Sequence, residues 1–295
     1  MRYSLERRKQ ASGIMMVAPS VIALSVFVIF PIINSIYLSF LDYNLLKGVR
    51  EFAAFSNYTH IFQDSRFWGA LWNTCYFTLG YVPLLTIIAL FLAVLLDRKM
   101  QVAVKLFQAI YFLPAITSMA IVAIGWRYIL DPNIGIIFGV LESIGLKSVP
   151  LLQNTKLAMP TVIGISLWKQ IGFSMVILLA GLKSISDTYY EAAAIDGSGR
   201  IHTFFRITLP LLLPSLSFVI ITNIISSFQV FDQIYVLTKG GPLFKTEVLV
   251  YYIYYQGFTL FKIGYASALS SILFILILLI TIFQVKKFMQ REIEV

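Results

Sequence analysis

Six apolar segments limit this chain to one broad architecture. They fall near residues 13–40, 70–96, 104–129, 159–183, 210–235 and 266–286. A helix needs roughly 20 apolar residues to cross a hydrocarbon layer of about 30 Å. Within that layer the backbone groups must be satisfied inside the segment, which leaves helices as the only form such runs can take. The expected fold class is therefore an all-α integral membrane protein with six transmembrane helices. Pro19, Pro31, Pro83 and Pro114 fall inside these segments. Prolines are tolerated there when neighbouring helices, side chains or waters satisfy the freed carbonyls.

The expected organisation is a cytoplasmic tail over 1–12, one six-helix transmembrane domain over 13–286 and a cytoplasmic tail over 287–295. Composition agrees: 59% of the 295 residues are hydrophobic and 13% charged, against about half and a quarter in soluble domains. A net charge of +9 raises nucleic acid as a partner. However, the Lys and Arg sit in short loops beside apolar spans, which is a pattern of membrane orientation and argues against nucleic acid. Cys75 is the single cysteine, and His60 and His202 are the only histidines, so neither a disulfide framework nor a His-based metal site is expected. The charged start MRYSLERRKQ looks like that of a signal peptide. The apolar run behind it is too long for such a leader and has no small-residue cleavage site, so it reads as an uncleaved first helix.

Lys and Arg set the orientation. The stretch Asp97–Lys105, DRKMQVAVK, carries three basic residues in nine. The connections on the other side mix Lys and Arg with Asp42, Glu51, Asp64, Asp131, Glu142 and Glu247. The excess of positive charge places both termini, and the loop 184–209 between spans four and five, in the cytoplasm. The connections near 41–69, 130–158 and 236–265 are semi-apolar, which suits short helices lying on the outer surface.

The loop 184–209 reads as a helix–turn–helix. Thr188 opens a Thr-x-x-Glu capping box closed by Glu191, and the run TYYEAAAI favours helix. Gly197-Ser198-Gly199 breaks it, since glycine takes the positive φ that ends a helix. A second helix is expected from about Arg200, with Phe204, Phe205 and Ile207 on an apolar face, and Leu209-Pro210 opens span five. Ala192, Ala193 and Ala194 leave one face nearly flat, flanked by the charges of Glu191 and Asp196. Such a surface suits a protein partner with an Arg-lined groove, although Glu191 would equally serve its own helix as a cap.

Glu191-Ala192-Ala193, Asp196-Gly197, Phe204, Ile207 and Leu209-Pro210 resemble the EAA loop of ABC-importer permeases over about 20 positions. Ser198 departs mildly from the Ala common there. Gly240-Gly241-Pro242, Thr246-Glu247, Tyr254, Phe258, Gly264-Tyr265-Ala266 and Ala268, together with the run Trp168–Ile185, resemble carbohydrate-uptake permeases of the maltose and glycerol-phosphate types. The resemblance implies a permease subunit of an ATP-driven importer. It also implies a second permease subunit, an ATPase dimer docked on the cytoplasmic loop, an extracytoplasmic solute-binding protein and a bacterial or archaeal plasma membrane. Coupling would fall to Glu191, Ala192, Ala193, Asp196, Gly197, Phe204 and Pro210. ATP and Mg would belong to the partner ATPase: the chain has no G-x-x-x-x-G-K-[ST] phosphate loop and binds no cofactor of its own on this reading. It is not expected to be an enzyme.

Polar groups inside spans are costly and so mark candidate paths. Asn223, Ser226, Ser227 and Gln229 recur over two turns of span five and offer neutral donors and acceptors to sugar hydroxyls. Gln229 also lies where the resemblance puts a carbohydrate-contacting amide. Phe228, Phe231 or Trp168 could stack on a sugar ring, and Ser267, Ser270 and Ser271 are further candidates in span six. Hydrogen bonding between helices would explain the small polar residues equally well. Lys169, deep in span four, needs a partner, a watery cavity or a route to snorkel; it could pair with Asp232 or attract an anionic group on a solute such as glycerol 3-phosphate. An ion-coupled carrier would want paired ionisable groups at mid-membrane, and Lys169 alone does not supply them.

Overall fold

A computed structural model describes residues 2–97, 110–143, 145 and 149–292. The basic stretch at Arg98, Lys99 and Lys105, the first part of the expected third span and the last three residues lie outside the described residues.

The first helical run begins with α1 (Arg2–Leu24), passes through a π-helical turn at Ser25–Ile29 and continues as α2 (Phe30–Ser39). Pro31 follows that turn. Proline has no N–H and its ring presses on the carbonyl four residues back, and a wider π-turn relieves that crowding. The same sequence of events recurs where a π-turn at Phe204–Thr208 precedes Pro210.

The chain divides into two compact units, residues 1–64 with 253–274 and residues 65–252 with 275–295. In the first unit α2 leads into strands β1 (Leu41–Asn44) and β2 (Val49–Phe52), an antiparallel hairpin pairing Leu41 with Phe52 and Asn44 with Val49. The hairpin departs from an expectation of helices alone, in a connection expected to hold short helices; the described residues are otherwise mostly helical, with a helix over Ser56–Gln63 in this same connection. The hairpin forms because Asn44 Oδ1 accepts from the backbone N–H of Leu46 and Lys47 at 3.0 and 3.2 Å, an Asx turn that competes with helix. Helix α3 (Ser56–Gln63) then clasps the junction: Asn57 Nδ2 donates to the carbonyls of Ser39 and Leu41 at 2.8 and 2.9 Å. Beyond it lie a π-turn at Tyr255–Thr259 and the start of α15 (Ile263–Glu292). A Cβ on Gly264 would lie 1.9 Å from the Leu41 carbonyl oxygen, so only glycine admits β1 this close to α15.

The second unit is built on α4 (Ser65–Asp97), α8 (Ala158–Lys183) and α12 (Leu213–Phe228). At 33 residues α4 is about 50 Å long at 1.5 Å per residue, well beyond a hydrocarbon layer. Ala89 and Ala93 of α4 pack with Met175, Leu178 and Leu179 of α8 and Val219 of α12, all essentially buried. Small residues let these helices approach closely, as they do in membrane bundles. A Cβ on Gly181 would sit 2.3 Å from Ser215 Oγ, and one on Gly172 would sit 1.9 Å from the Tyr111 carbonyl oxygen.

Among the described residues four helices are long and apolar enough to cross a membrane: Gly13–Ser39, Ser65–Asp97, Ala158–Lys183 and Ile263–Lys287. Two further apolar stretches are bent pairs. Helix α5 (Ile110–Ile116) meets α6 (Met119–Ile129) at 109°, and Arg200–Leu211 meets α12 at 66°. Span five therefore ends at Phe228 rather than near 235, and α13 (Asp232–Leu237) is a separate helix. The segment 130–158 contains α7 (Ile136–Ser143), and α14 (Leu249–Tyr254) precedes the last π-turn.

Candidate functional site

Three places in the second unit concentrate polar chemistry. The first is a cavity of about 180 Å³ among apolar helices, lined by Phe77, Tyr81, Met119, Ser166, Lys169, Gln170, Ser226, Ser227 and Gln233. Phe77 and Tyr81, one helical turn apart on α4, stack at 5.3 Å with their planes 18° apart and form an aromatic wall. Opposite chemistry comes from α8, α12 and α13. Gln233 Nε2 donates to Ser166 Oγ at 3.3 Å. Ser227 Oγ donates to the Ile224 carbonyl at 2.8 Å and lies 3.0 Å from Thr78 Oγ1.

Lys169 sits near the middle of the 26-residue α8. Its Nζ reaches the Ala115 carbonyl at 3.4 Å, longer than the roughly 2.7–3.2 Å of a well-formed bond. Ala115 lies at the end of α5, where the break before α6 leaves carbonyls without helical partners, and a cation is well placed there. Asp232 acts on the ammonium through space, but among the described residues Lys169 forms no ion pair. A lysine at the centre of a spanning helix costs about 2.5–3.5 kcal/mol on insertion scales, a cost reduced where the side chain faces a cavity, as the half-buried Lys169 does.

Of the residues singled out from sequence, the cavity brings together Lys169, Ser226 and Ser227. Asn223 goes elsewhere: it is buried, and its Nδ2 donates to Ser174 Oγ at 3.2 Å and to the Val219 carbonyl at 2.8 Å, fastening α12 to α8. Gln229 caps the C-terminus of α12 and is exposed, as Ser226 is, whereas Asn223 is buried. Trp168 packs edge-on against Trp126 at 5.7 Å. Phe228 is buried, and Phe231 stacks on Tyr235 at 5.4 Å. Ser270 and Ser271 return their hydroxyls to their own helix, at the Ala266 and Ser267 carbonyls. Sequence reasoning passed over Gln170, Gln233 and Ser166. Gln170 directly follows Lys169 in an otherwise apolar stretch, a signal that was there to be read.

The second place is the segment 184–209. Helix α9 spans Asp187–Ile195, and its N-cap is Ser186, whose Oγ accepts from the Thr188 N–H at 3.4 Å. The Thr188–Glu191 capping box is thereby corrected: the helix starts earlier, Glu191 falls outside its first turn, and its carboxylate is exposed with no partner among the described residues. Gly197 has φ +72°, its N–H donates to the Ala194 carbonyl at 3.1 Å, and the Ser198 N–H donates to Ala193 at 2.9 Å. These two bonds make a Schellman stop. Ala193 is buried, whereas Ala192, Ala194 and Asp196 are exposed, and Ile195 and Ile201 are 86% and 77% exposed. Then α10 (Arg200–Thr203), the π-turn and α11 (Leu209–Leu211) lead into α12. Phe204 is half-buried, packed edge-on with the exposed Phe205 at 5.1 Å.

The third place is the connection from α13 to α14, which carries Gly240-Gly241-Pro242 and Thr246-Glu247. Thr246 Oγ1 donates to the Gly241 carbonyl at 2.5 Å and lies 2.7 Å from Thr238 Oγ1. Glu247 is buried and bridges Arg66 through two bonds of 2.7 Å, and the Arg66 guanidinium also covers the Phe244 ring at 4.4 Å. Asn73 Nδ2 donates to the carbonyls of Phe244 and Glu247 at 2.8 and 2.9 Å, and Thr74 Oγ1 accepts from the Leu249 N–H at 2.9 Å. The polar residues of this motif thus tie the connection to α4.

Comparison with known proteins places this geometry. Residues 62–291 match the family described as binding-protein-dependent transport system inner membrane component. The chain is 34% identical to the sulfoquinovosyl glycerol transport system permease protein SmoG of Agrobacterium fabrum, over 91% of this chain and 87% of that one. It is 31% identical to the sn-glycerol-3-phosphate transport system permease protein UgpA of Yersinia pestis, over 95% and 94%. It superposes on a chain of a bacterial alginate ABC transporter, solved in complex with an alginate pentasaccharide-bound periplasmic protein, with a TM-score of 0.84 and 25% identity over 96% of each chain. The relatives are permease subunits, which are transport components and not enzymes. The chain belongs to the family of binding-protein-dependent transport system inner membrane components, the permease subunits of ABC importers.

Proposed function

We propose that this chain is one of two permease subunits that line the path of an ATP-driven importer for a sugar or sugar-like solute. Each bent pair counts as one span, which gives six. Both termini and the segment 184–209 face the cytoplasm, where a separate ATPase dimer engages α9 and supplies the ATP and Mg chemistry. A solute-binding protein delivers from the opposite side. The observation that carries this reading is α9 itself: a short helix with exposed Glu191, Ala192, Ala194 and Ile195, stopped sharply at Gly197. An apolar, nearly flat face of this kind suits a groove on another protein.

The solute class follows from the relatives named for sulfoquinovosyl glycerol and sn-glycerol 3-phosphate and from the alginate transporter. The cavity beside Phe77 and Tyr81 fits such a solute, with an aromatic face for a ring and amide and hydroxyl groups for its oxygens. Binding and closure of the ATPase would move α9 and, through the π-turn and α11, α12. The test is solute-stimulated ATP hydrolysis by the reconstituted complex, read against sugars and glycerol phosphates. Glu191→Lys is expected to abolish stimulation and uptake while the permease stays at its normal level in the membrane. Normal uptake by that variant would remove the coupling role, and ATP hydrolysis by the chain alone would overturn the assignment.

A further inference from the structure

We infer that the solute carries an acidic group, a carboxylate, phosphate or sulfonate, and that Lys169 is the specificity-determining residue that receives it. This rests on the transport reading above and narrows its substrate class.

The cavity wall is one-sided in charge. Of its nine lining residues one is a cation, none is a carboxylate, and the polar remainder are the neutral Ser166, Gln170, Ser226, Ser227 and Gln233. Two of those hydroxyls are already engaged, Ser166 by Gln233 and Ser227 by Thr78 and Ile224. Lys169 keeps only its long contact with Ala115. Asp232, the acidic group that acts on it, is exposed at the start of α13 and beyond ion-pair distance. A charge among apolar helices is kept where it is paired or faces a wet cavity, and the half-buried Lys169 faces a cavity whose wall offers it no carboxylate. A neutral sugar, for its part, needs hydroxyl partners and gains little from a fixed ammonium in this place. An anionic solute resolves both points. Its acidic oxygens accept charge-assisted bonds from Nζ, and its ring lies against Phe77 and Tyr81.

The solute would also compete with Ala115 for the same ammonium, so that filling the cavity loosens the hold of α8 on the end of α5, next to the 109° break.

The experiment uses the complete importer with its binding protein in proteoliposomes. Uptake is compared for matched pairs: a neutral hexose and its uronate, and glycerol and glycerol 3-phosphate, alone and as glycosides. The expected result is ATP-driven uptake of an acidic member and none of its neutral counterpart. Lys169→Met is expected to raise the half-saturating concentration at least tenfold, and Lys169→Arg to restore much of that loss. Permease level and thermal stability in detergent are followed in parallel. Uptake confined to neutral solutes would overturn this inference and leave the transport reading standing. Acidic uptake with Lys169→Met unchanged would overturn the role of Lys169. Absence of ATP-driven uptake of every solute would overturn both readings.

Discussion

Arg66 and Glu247 stand 181 residues apart in the chain and meet in a two-point ion pair, Nε to Oε2 and Nη2 to Oε1, each at 2.7 Å. Glu247 is 1% exposed, and the guanidinium also lies over the rings of Phe244 and Tyr252. The pair fixes the segment 243–249, and with it the start of α14, to the first turn of α4. Planar bidentate geometry is specific to arginine, which makes the contact a matter of register as much as of charge.

Removing one partner of such a pair leaves a buried charge uncompensated, at a cost of about 3–5 kcal/mol. Arg66→Ala is therefore expected to lower the detergent melting temperature sharply, and Arg66→Lys to fall between it and the parent. The double variant Arg66→Ala/Glu247→Ala is expected to be less damaging than Arg66→Ala alone, since it strands no charge. Equal melting temperatures for Arg66→Ala and the parent would show that the pair holds nothing.

Glu247 was legible in the sequence as part of a motif, but Arg66 appeared there only as one basic residue among many. Long-range pairing leaves no local trace. The four long helices could be read because apolar length is a strong signal, and Gly197 could be read because a positive φ at a helix end demands glycine. The break between Ile116 and Met119 could not: Thr117 and Ser118 are ordinary span residues, and Pro114 alone does not distinguish a kink from a 109° turn. The hairpin was missed because its determinant is one Asn44 side chain folding back on its own turn. Within the candidate site, Lys169, Ser226 and Ser227 were found as polar residues in apolar runs. Asn223, equally polar, proves to fasten two helices, and only packing separates those roles.

Packing gives an ordered series at three glycines. A Cβ at Gly172 meets backbone, the Tyr111 oxygen at 1.9 Å, which has no rotamer to escape to. At Gly181 the nearest atom is Ser215 Oγ at 2.3 Å, a side chain that turns, although its Cβ follows at 2.7 Å. At Gly69 nothing lies within 4 Å. Gly172→Ala is expected to cost the most, about 1–3 kcal/mol as an overpacked core does, and Gly181→Ala less, with partial rescue by Ser215→Gly. Gly69→Ala is expected to be neutral or stabilising by up to about 1 kcal/mol, because alanine favours helix. Apparent melting temperatures in one detergent check the order; a harmless Gly172→Ala would mean that α5 and α8 do not cross there.

The stop of α9 gives a prediction that separates folding from coupling. Gly197→Ala places a Cβ in the left-handed region at φ +72°, costing about 1–2 kcal/mol, and Ser186→Ala removes the N-cap at about 1 kcal/mol. Both act on the local helix only, so the assembled importer is expected to keep its melting temperature within a few degrees while solute-stimulated ATP hydrolysis falls. Gly197→Asn, which tolerates the left-handed conformation, is expected to retain more activity than Gly197→Ala. Parallel loss of stability and activity would instead make the turn a general structural element.

Asn223 and Ser226 lie one turn apart on α12 and are expected to fail differently. Asn223 is buried, and its amide bonds both Ser174 and the Val219 carbonyl. Interhelical hydrogen bonds in membranes average about 0.6 kcal/mol, so Asn223→Ala should lower stability modestly and leave solute preference alone. Ser226 lines the cavity and is exposed to it. Ser226→Ala should leave the melting temperature unchanged and shift the half-saturating solute concentration severalfold, and Ser226→Phe should block the cavity and stop uptake. If Asn223→Ala changes which solutes are taken up and Ser226→Phe does not, the path runs on the other side of α12, and the cavity is a packing defect rather than a passage.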